Sequence, residues 1–239
     1  MRPSVVREGE TSLYAFRSQP TMVDFPGRMA AVFFVSGCNL ACRYCHNPDL
    51  LRRHQQGLSW ARLETACERF REDWTEAAVI TGGEPTLARD LPELIAFFRD
   101  QGWSVKLDTN GSRPDVLAAC LADVDYVAMD VKAGLDRYED LTGFGHVERI
   151  RESITVLRDG PTDYELRTTL IASFHDDDQL RDIAELIHGA RRYVLQAFVP
   201  QDGMPDPAYR ELPRTSTDRL HEAAALMAGC ADEVLVRGD

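Results

Sequence analysis

The chain has 239 residues, with 39 Asp and Glu against 27 Lys and Arg, a formal net charge of −12 and a pI near 5.0. So acidic a surface repels a phosphate backbone, and a nucleic-acid partner is not expected. No apolar run approaches the roughly 20 residues that span a bilayer, and residues 1–10 lack the apolar stretch of a secretory signal. The expected setting is cytoplasmic, with no membrane partner. The length suits one α/β domain, read here as an N-terminal extension, 1–20, followed by a single domain, 21–239.

In chain order, a strand is predicted at 30–35, Ala-Ala-Val-Phe-Phe-Val. A helix over 59–71 follows, with Ser59 as N-cap and Leu63, Cys67 and Phe70 three to four residues apart. A strand at 77–81 precedes a helix at 91–101, which starts after Asp90 and places Leu91, Leu94, Ile95 and Phe98 on one face. The pattern then repeats: strand 104–108, helix 114–122 opening on Pro114, strand 126–131, helix 147–158. Strand 164–170, helix 179–188, strand 194–199, helix 217–228 and strand 233–236 complete it. Six strand–helix units with an extra terminal strand read as an α/β fold, an incomplete parallel (β/α)6 TIM-like barrel. In such a fold the active site lies at the C-terminal ends of the strands.

The first predicted strand runs into Cys38, Cys42 and Cys45, a C-x3-C-x2-C run. In a reducing compartment, clustered thiols are metal ligands or catalytic groups before they are disulfides. With His46 they make a Cys3His zinc set, the mark of a structural module. Without it they supply three thiolates to a [4Fe–4S] cluster and leave one iron open, as a catalytic metal needs. A long chain with ample core material favours the cluster. Cys67, Cys120 and Cys230 stand alone in helical or flanking segments and read as small buried apolar residues.

The other chemistry-bearing residues fall at successive strand ends: Gly82-Gly83-Glu84-Pro85, Asp108-Thr109-Asn110-Gly111, Asp130-Val131-Lys132, then Arg167 and Gln196. Singly, each has a plain structural reading, as a turn or a surface ion pair. Their joint placement is harder to assign to structure alone.

These residues give the chain a resemblance to the radical S-adenosylmethionine enzymes, and among them to the glycyl-radical-enzyme activases. The resemblance is carried by the cysteine run with Tyr44 inside it and His46-Asn47-Pro48 after it, and by the three strand-end motifs. The lead-in Thr21-Met22-Val23-Asp24-Phe25-Pro26-Gly27 is similar to that of the anaerobic ribonucleotide reductase activating proteins. The likeness runs from about residue 20 to about residue 200. It implies that Cys38, Cys42 and Cys45 ligate three irons of a [4Fe–4S] cluster whose fourth iron is chelated by S-adenosylmethionine. Gly82, Gly83 and Glu84 would receive the amino group of that molecule. Asp108 and Asp130, together with backbone carbonyls, would hold a monovalent cation beside its carboxylate, with Lys132 serving the same electrostatic end and Arg167 as a partner of the ribose or the carboxylate. Tyr44 and His46 would contact adenine, and Gln196 the nucleoside side.

By the same resemblance, flavodoxin or ferredoxin donates an electron, S-adenosylmethionine is cleaved, and the resulting radical takes an α-hydrogen from a glycine of a partner glycyl radical enzyme. Between the cysteines and Gly82 there is room for one helix, and no ferredoxin-like insert is present. That favours the small activases of ribonucleotide reductase or pyruvate formate-lyase. Gln196 stands where the formate-lyase activases are expected to have histidine, which leans towards the reductase. The alternatives are a pyruvate formate-lyase activating enzyme, a radical enzyme acting on a small molecule, and a zinc-stabilised binding module. Small-molecule enzymes of the deazapurine type follow the last cysteine with Asp-Thr rather than His46-Asn47-Pro48.

Overall fold

A computed structural model describes residues 7–54 and 56–238. In chain order the elements are β1 (Leu13–Phe16), β2 (Ala30–Val35), α1 (Trp60–Glu72), β3 (Ala77–Gly82), α2 (Leu91–Asp100), β4 (Ser104–Thr109), α3 (Pro114–Cys120) and β5 (Tyr126–Asp130). After them come α4 (Tyr138–Thr142), α5 (Val147–Asp159), β6 (Asp163–Leu170), α6 (Asp177–Leu186), β7 (Ala190–Ala197), α7 (Pro207–Arg210), α8 (Thr217–Leu226) and β8 (Ala231–Arg237). The eight strands form one sheet in the order of the chain. From β2 to β8 every pairing is parallel, while β1 lies antiparallel on β2 at the edge. The sheet order begins at β1 and ends at β8, so the barrel is incomplete.

Alternation along each strand separates two environments. Ala31, Phe33 and Val35 of β2 share one core with Leu63 and Phe70 of α1, as do Val105 and Leu107 of β4, Leu166 of β6 and Leu195 of β7. The opposite face carries small residues near β2, β3 and β5, namely Ala30, Val32, Ala77, Val79 and Ala128, with Phe25 packed against Tyr126. Phe25 comes from the lead-in segment, which thereby plugs the N-terminal end of the barrel.

On the same inner face β4 to β8 carry charge. Glu165 has no exposed side-chain surface and accepts two hydrogen bonds from Arg237, at 2.7 and 2.6 Å. The Tyr126 hydroxyl donates to Glu165 at 3.1 Å and accepts from Arg192 at 2.9 Å. A buried charge is tolerated only when paired in this way.

The helices start as their sequences direct. Ser59, Asp176 and Ser216 accept from the backbone N–H three residues on, at 3.2, 2.9 and 3.2 Å. Asp90 is different: its carboxylate leaves the α2 N-terminus and accepts from the Ser12 N–H at 2.8 Å, tying the N-terminal segment to the domain. Part of the 1–20 extension thus joins the sheet as β1, while residues 1–6 lie outside the described residues.

His175, fully buried ahead of α6, accepts from the Ile171 N–H on Nδ1 at 2.9 Å and donates from Nε2 to the Lys132 carbonyl, also at 2.9 Å. Burial pushes its pKa down to about 4. A histidine depressed in the fold takes up its proton on unfolding, so its contribution is present above the ordinary value near 6.5 and fades as pH falls towards 4. Urea titration of wild type and His175→Gln should therefore show a stability difference that shrinks by about 2 kcal/mol between pH 7 and pH 5. A constant difference would mean that the imidazole binds its proton equally well folded and unfolded, and a difference that grows on acidification would mean that it is already charged in the fold.

Candidate functional site

The three strand-end motifs and the cysteine run meet at the C-terminal ends of β2 to β6. One cleft is lined by Cys38, Cys42, Tyr44, Cys45, His46, Gly82, Gly83, Glu84, Asp108, Asp130, Lys132 and Arg167. Gln196 does not line it. It stands on β7, in register with Thr169 of β6 and Arg237 of β8. A wider groove, about 910 Å³ against about 170 Å³, lies elsewhere between α2 and α3. Its charged groups, such as Arg113 with Asp115 and Arg99 with Asp125, are ordinary surface pairs. Chemistry rather than volume selects the cysteine cleft.

The cysteine loop is held from outside by backbone. Gly37 and Cys38 donate to the carbonyls of Leu50 and Leu51 at 2.8 and 3.1 Å, and Ala41 donates to Thr142 of α4 at 2.7 Å. All six cysteines are free thiols. Burial raises the pKa of Cys38 and Cys45 and pushes Cys42 up to about 12. Among the described residues, no three His, Cys, Asp or Glu side chains converge as the ligands of a single ion do. A cubane does not ask for that, since each of its cysteines holds a different iron. Three thiols that open on one cleft without a fourth fit a [4Fe–4S] cluster. A zinc set would need His46, whose Nε2 donates instead to the Val199 carbonyl at 3.0 Å.

Two glycines bring β3 against the start of this loop. A Cβ on Gly82 would lie 2.3 Å from the Val35 carbonyl oxygen, with φ at +122°, and a Cβ on Gly83 would lie 2.3 Å from the Gly37 carbonyl oxygen. Glu84, 1 % exposed, does not project into the cleft as a free acceptor. It takes hydrogen bonds from the Thr86 N–H (3.0 Å), the Thr86 hydroxyl (2.5 Å), the Thr109 hydroxyl (2.7 Å) and the Asn110 N–H (2.7 Å). Burial still raises its pKa. Asn110 continues the chain of contacts, donating from Nδ2 to Asn39 Oδ1 at 3.1 Å and to Cys38 Sγ at 3.7 Å.

Opposite the cysteines lies an ion-pair ladder. Lys106 meets Asp108 at 2.5 Å, Arg167 reaches Asp108 at 3.5 Å and Asp130 at 2.9 Å, and Lys132 meets Asp130 at 3.1 Å. Burial opposes the charged form of each carboxylate. Even so, Lys106 and Arg167 hold Asp108 below its usual range, and Lys132 and Arg167 bring Asp130 to about 2. Lys132 is raised in turn, against burial, by Asp130. Its ammonium also lies 5.9 Å from the ring centre of Tyr44.

Tyr44 itself is buried and packs on Phe198 and on Tyr209 of the 201–213 loop. That loop, between β7 and α8, therefore backs the cysteine run.

The comparisons agree with this geometry. Residues 32–187 match the Radical SAM superfamily, SAM being S-adenosylmethionine. The chain belongs to that superfamily, and with it come a [4Fe–4S] cluster and S-adenosylmethionine as cofactors. A protein of Methanocaldococcus jannaschii, provisionally named a glycyl-radical enzyme activating enzyme, is 30% identical over 90% of this chain and 91% of its own. The pyruvate formate-lyase-activating enzyme of Streptococcus mutans is 29% identical over 80% of this chain and 77% of its own. Among solved structures, TYW1 with a lysine-pyruvate adduct bound superposes with a TM-score of 0.63 at 19% identity, over 84% of this chain and 74% of that one. SuiB of Streptococcus suis bound to S-adenosylmethionine gives 0.63 at 15%, over 90% and 51%. These two likenesses concern the fold.

Sequence reasoning did not single out Lys106, Asn39, Asn110 or His175 as parts of the site. Asn110 stood inside a motif already noticed.

Two outcomes follow. Glu84→Gln turns a donor towards a ring of donors, which should destabilise the fold by about 1–3 kcal/mol in thermal or urea unfolding. An unchanged midpoint would show that Glu84 is already protonated. Cys42→Ala, reconstituted with iron and sulfide, should fall well short of the about four irons per chain of the wild type. Full loading would remove Cys42 from the ligand set.

Proposed function

We propose that the chain is an activase of a glycyl radical enzyme, with anaerobic ribonucleotide reductase as its partner. The observation that carries this reading is the single cleft into which three thiols, the Gly82–Gly83 approach and a cationic ladder all open. The relative that spans nearly the whole chain supports the same class of activity. A [4Fe–4S] cluster held by Cys38, Cys42 and Cys45 would supply one electron to the sulfonium of S-adenosylmethionine, whose cleavage to methionine and a 5′-deoxyadenosyl radical would provide the abstractor of a glycine α-hydrogen.

Around that chemistry the residues have separate tasks. Cys38, Cys42 and Cys45 give up protons on loading, since their raised pKa values keep them as thiols beforehand. Gly82 and Gly83 admit the methionine amino group to the backbone. The carbonyls of that segment accept from it, because the Glu84 carboxylate is already engaged. Lys132 and Arg167 attract the methionine carboxylate. Tyr44 and His46 wall the adenine side, and Gln196 stands further out towards the nucleoside.

The open sheet leaves a flank by which a peptide loop can reach the cleft, where positioning dominates the rate. Flavodoxin or ferredoxin is the electron donor in this reading. The lead-in over Thr21–Gly27 and the glutamine at 196 support the reductase over pyruvate formate-lyase as partner.

The test is anaerobic incubation of the loaded protein with S-adenosylmethionine, a reductant and each candidate partner, read by EPR. A glycyl radical doublet on the reductase is expected. A doublet on pyruvate formate-lyase alone would move the partner assignment. 5′-Deoxyadenosine formed without a radical on either protein would contradict the activase reading and favour a small-molecule substrate.

A further inference from the structure

The resemblance that assigns a monovalent cation to Asp108 and Asp130 meets a donor set that does not fit one. A hard cation needs oxygen atoms free to face it. Here Asp108 Oδ1 accepts from Lys106 Nζ at 2.5 Å, and Oδ2 faces Arg167 Nη2 at 3.5 Å. Asp130 Oδ1 accepts from Arg167 Nε at 2.9 Å, and Oδ2 from Lys132 Nζ at 3.1 Å. Every oxygen of the two carboxylates already has a cationic partner. An added alkali ion would also enter the field of three fixed positive charges.

Lys106 is the unusual member of the ladder. It lies two residues before Asp108 on β4, so both side chains share the inner face. At 2 % exposure it is among the largest fully buried side chains, and its ammonium is held against Asp108 at 2.5 Å. Lys106, Lys132 and Arg167 face two carboxylates, which leaves one positive charge over. The neighbouring Glu165 is matched by Arg237 and does not cancel it. The excess belongs to the ladder alone: Glu84, the other carboxylate lining the cleft, is held by neutral donors and lies on the β3 side, so an incoming ligand carboxylate meets net positive charge at the ladder before any ion is added.

We propose that Lys106 is a built-in counter-cation of the S-adenosylmethionine site, its ammonium standing at Asp108 where an alkali ion would otherwise bind, so that this chain takes up S-adenosylmethionine without one. The inference rests on the reading of the cleft given above. Lys106 acts as a positioning residue, through Asp108, and not by contact with the substrate. Removing its charge opens Asp108 Oδ1, which creates the vacancy that an external cation can fill.

The experiment is equilibrium dialysis of radiolabelled S-adenosylmethionine with the cluster-loaded wild type and Lys106→Met. Each is run in choline chloride and in potassium chloride of equal ionic strength. Wild-type Kd should agree in the two salts within about twofold, while Lys106→Met should bind about tenfold more weakly in choline and recover in potassium. A merely structural lysine would give a loss that potassium does not restore, which overturns the proposal. Wild-type binding that tightens about tenfold in potassium overturns it as well, with no need of a variant. Loaded wild type that binds no S-adenosylmethionine in either salt overturns the reading of the cleft, and the inference with it. Lys106→Gln provides a second variant if the methionine form does not fold.

Discussion

A single buried carboxylate, Glu84, holds the working end of the barrel together. It sits where β3 leaves the sheet, yet its hydrogen bonds reach Thr109 and Asn110 at the end of β4. Asn110 passes the constraint to Asn39 and Cys38 on the loop after β2. Three strand ends are thus fixed relative to one another by one side chain and the amide it orients. The close passage of Gly82 and Gly83 beneath Val35 and Gly37 depends on the same alignment, because neither position has room for a Cβ. Where the cysteines stand relative to the glycine segment is therefore a property of the rigid strand ends rather than of a loose loop.

The barrel has two interiors. Between sheet and helices the residues are apolar and closely packed, as the burial of Phe33, Phe70 and Phe98 illustrates. Within the sheet, from β4 to β8, the inner face is a sequence of paired charges. Burying ions is unfavourable unless each finds partners, and here the pairing runs from Lys106 to Lys132 through Asp108, Arg167 and Asp130. Such an interior gains little as a folding core. Its value is a fixed field at the cleft, held against the helix layer by His175, which grips the Lys132 carbonyl.

Much of this was legible in the sequence because parallel strands buried on both faces read as plain apolar runs. The strands from β2 to β6 sit within a residue or so of their predicted places. β1 was missed because four residues at a sheet edge, with Tyr14 39% exposed, carry no periodic signal. β7 begins four residues before its predicted start, since Arg191 and Arg192 break the apolar run. Only the folded chain shows Arg192 satisfied by Glu233 and the Tyr126 hydroxyl. The short helices α4 and α7 had too few turns to show a period, although α4 braces the cysteine loop. At the site, motif residues were legible by type and spacing. Lys106 was not, because a lone lysine between Val105 and Leu107 looks like a solvated position until Asp108 and Arg167 surround it. Gly82, Gly83 and Glu84 read together as a segment that receives an amino group, through backbone carbonyls or a carboxylate, but the partners on the next strand that engage the Glu84 carboxylate are invisible in the sequence.

In the proposed site Cys38, Cys42 and Cys45 hold a four-iron cluster with one iron left open for S-adenosylmethionine. The most direct test of this is the EPR spectrum of the reduced, reconstituted protein before and after S-adenosylmethionine is added. A cluster signal whose g-values move on addition is expected, since the open iron gains new ligands. A cluster signal that stays unchanged at saturating S-adenosylmethionine, or a protein that takes up zinc and no sulfide, would contradict it.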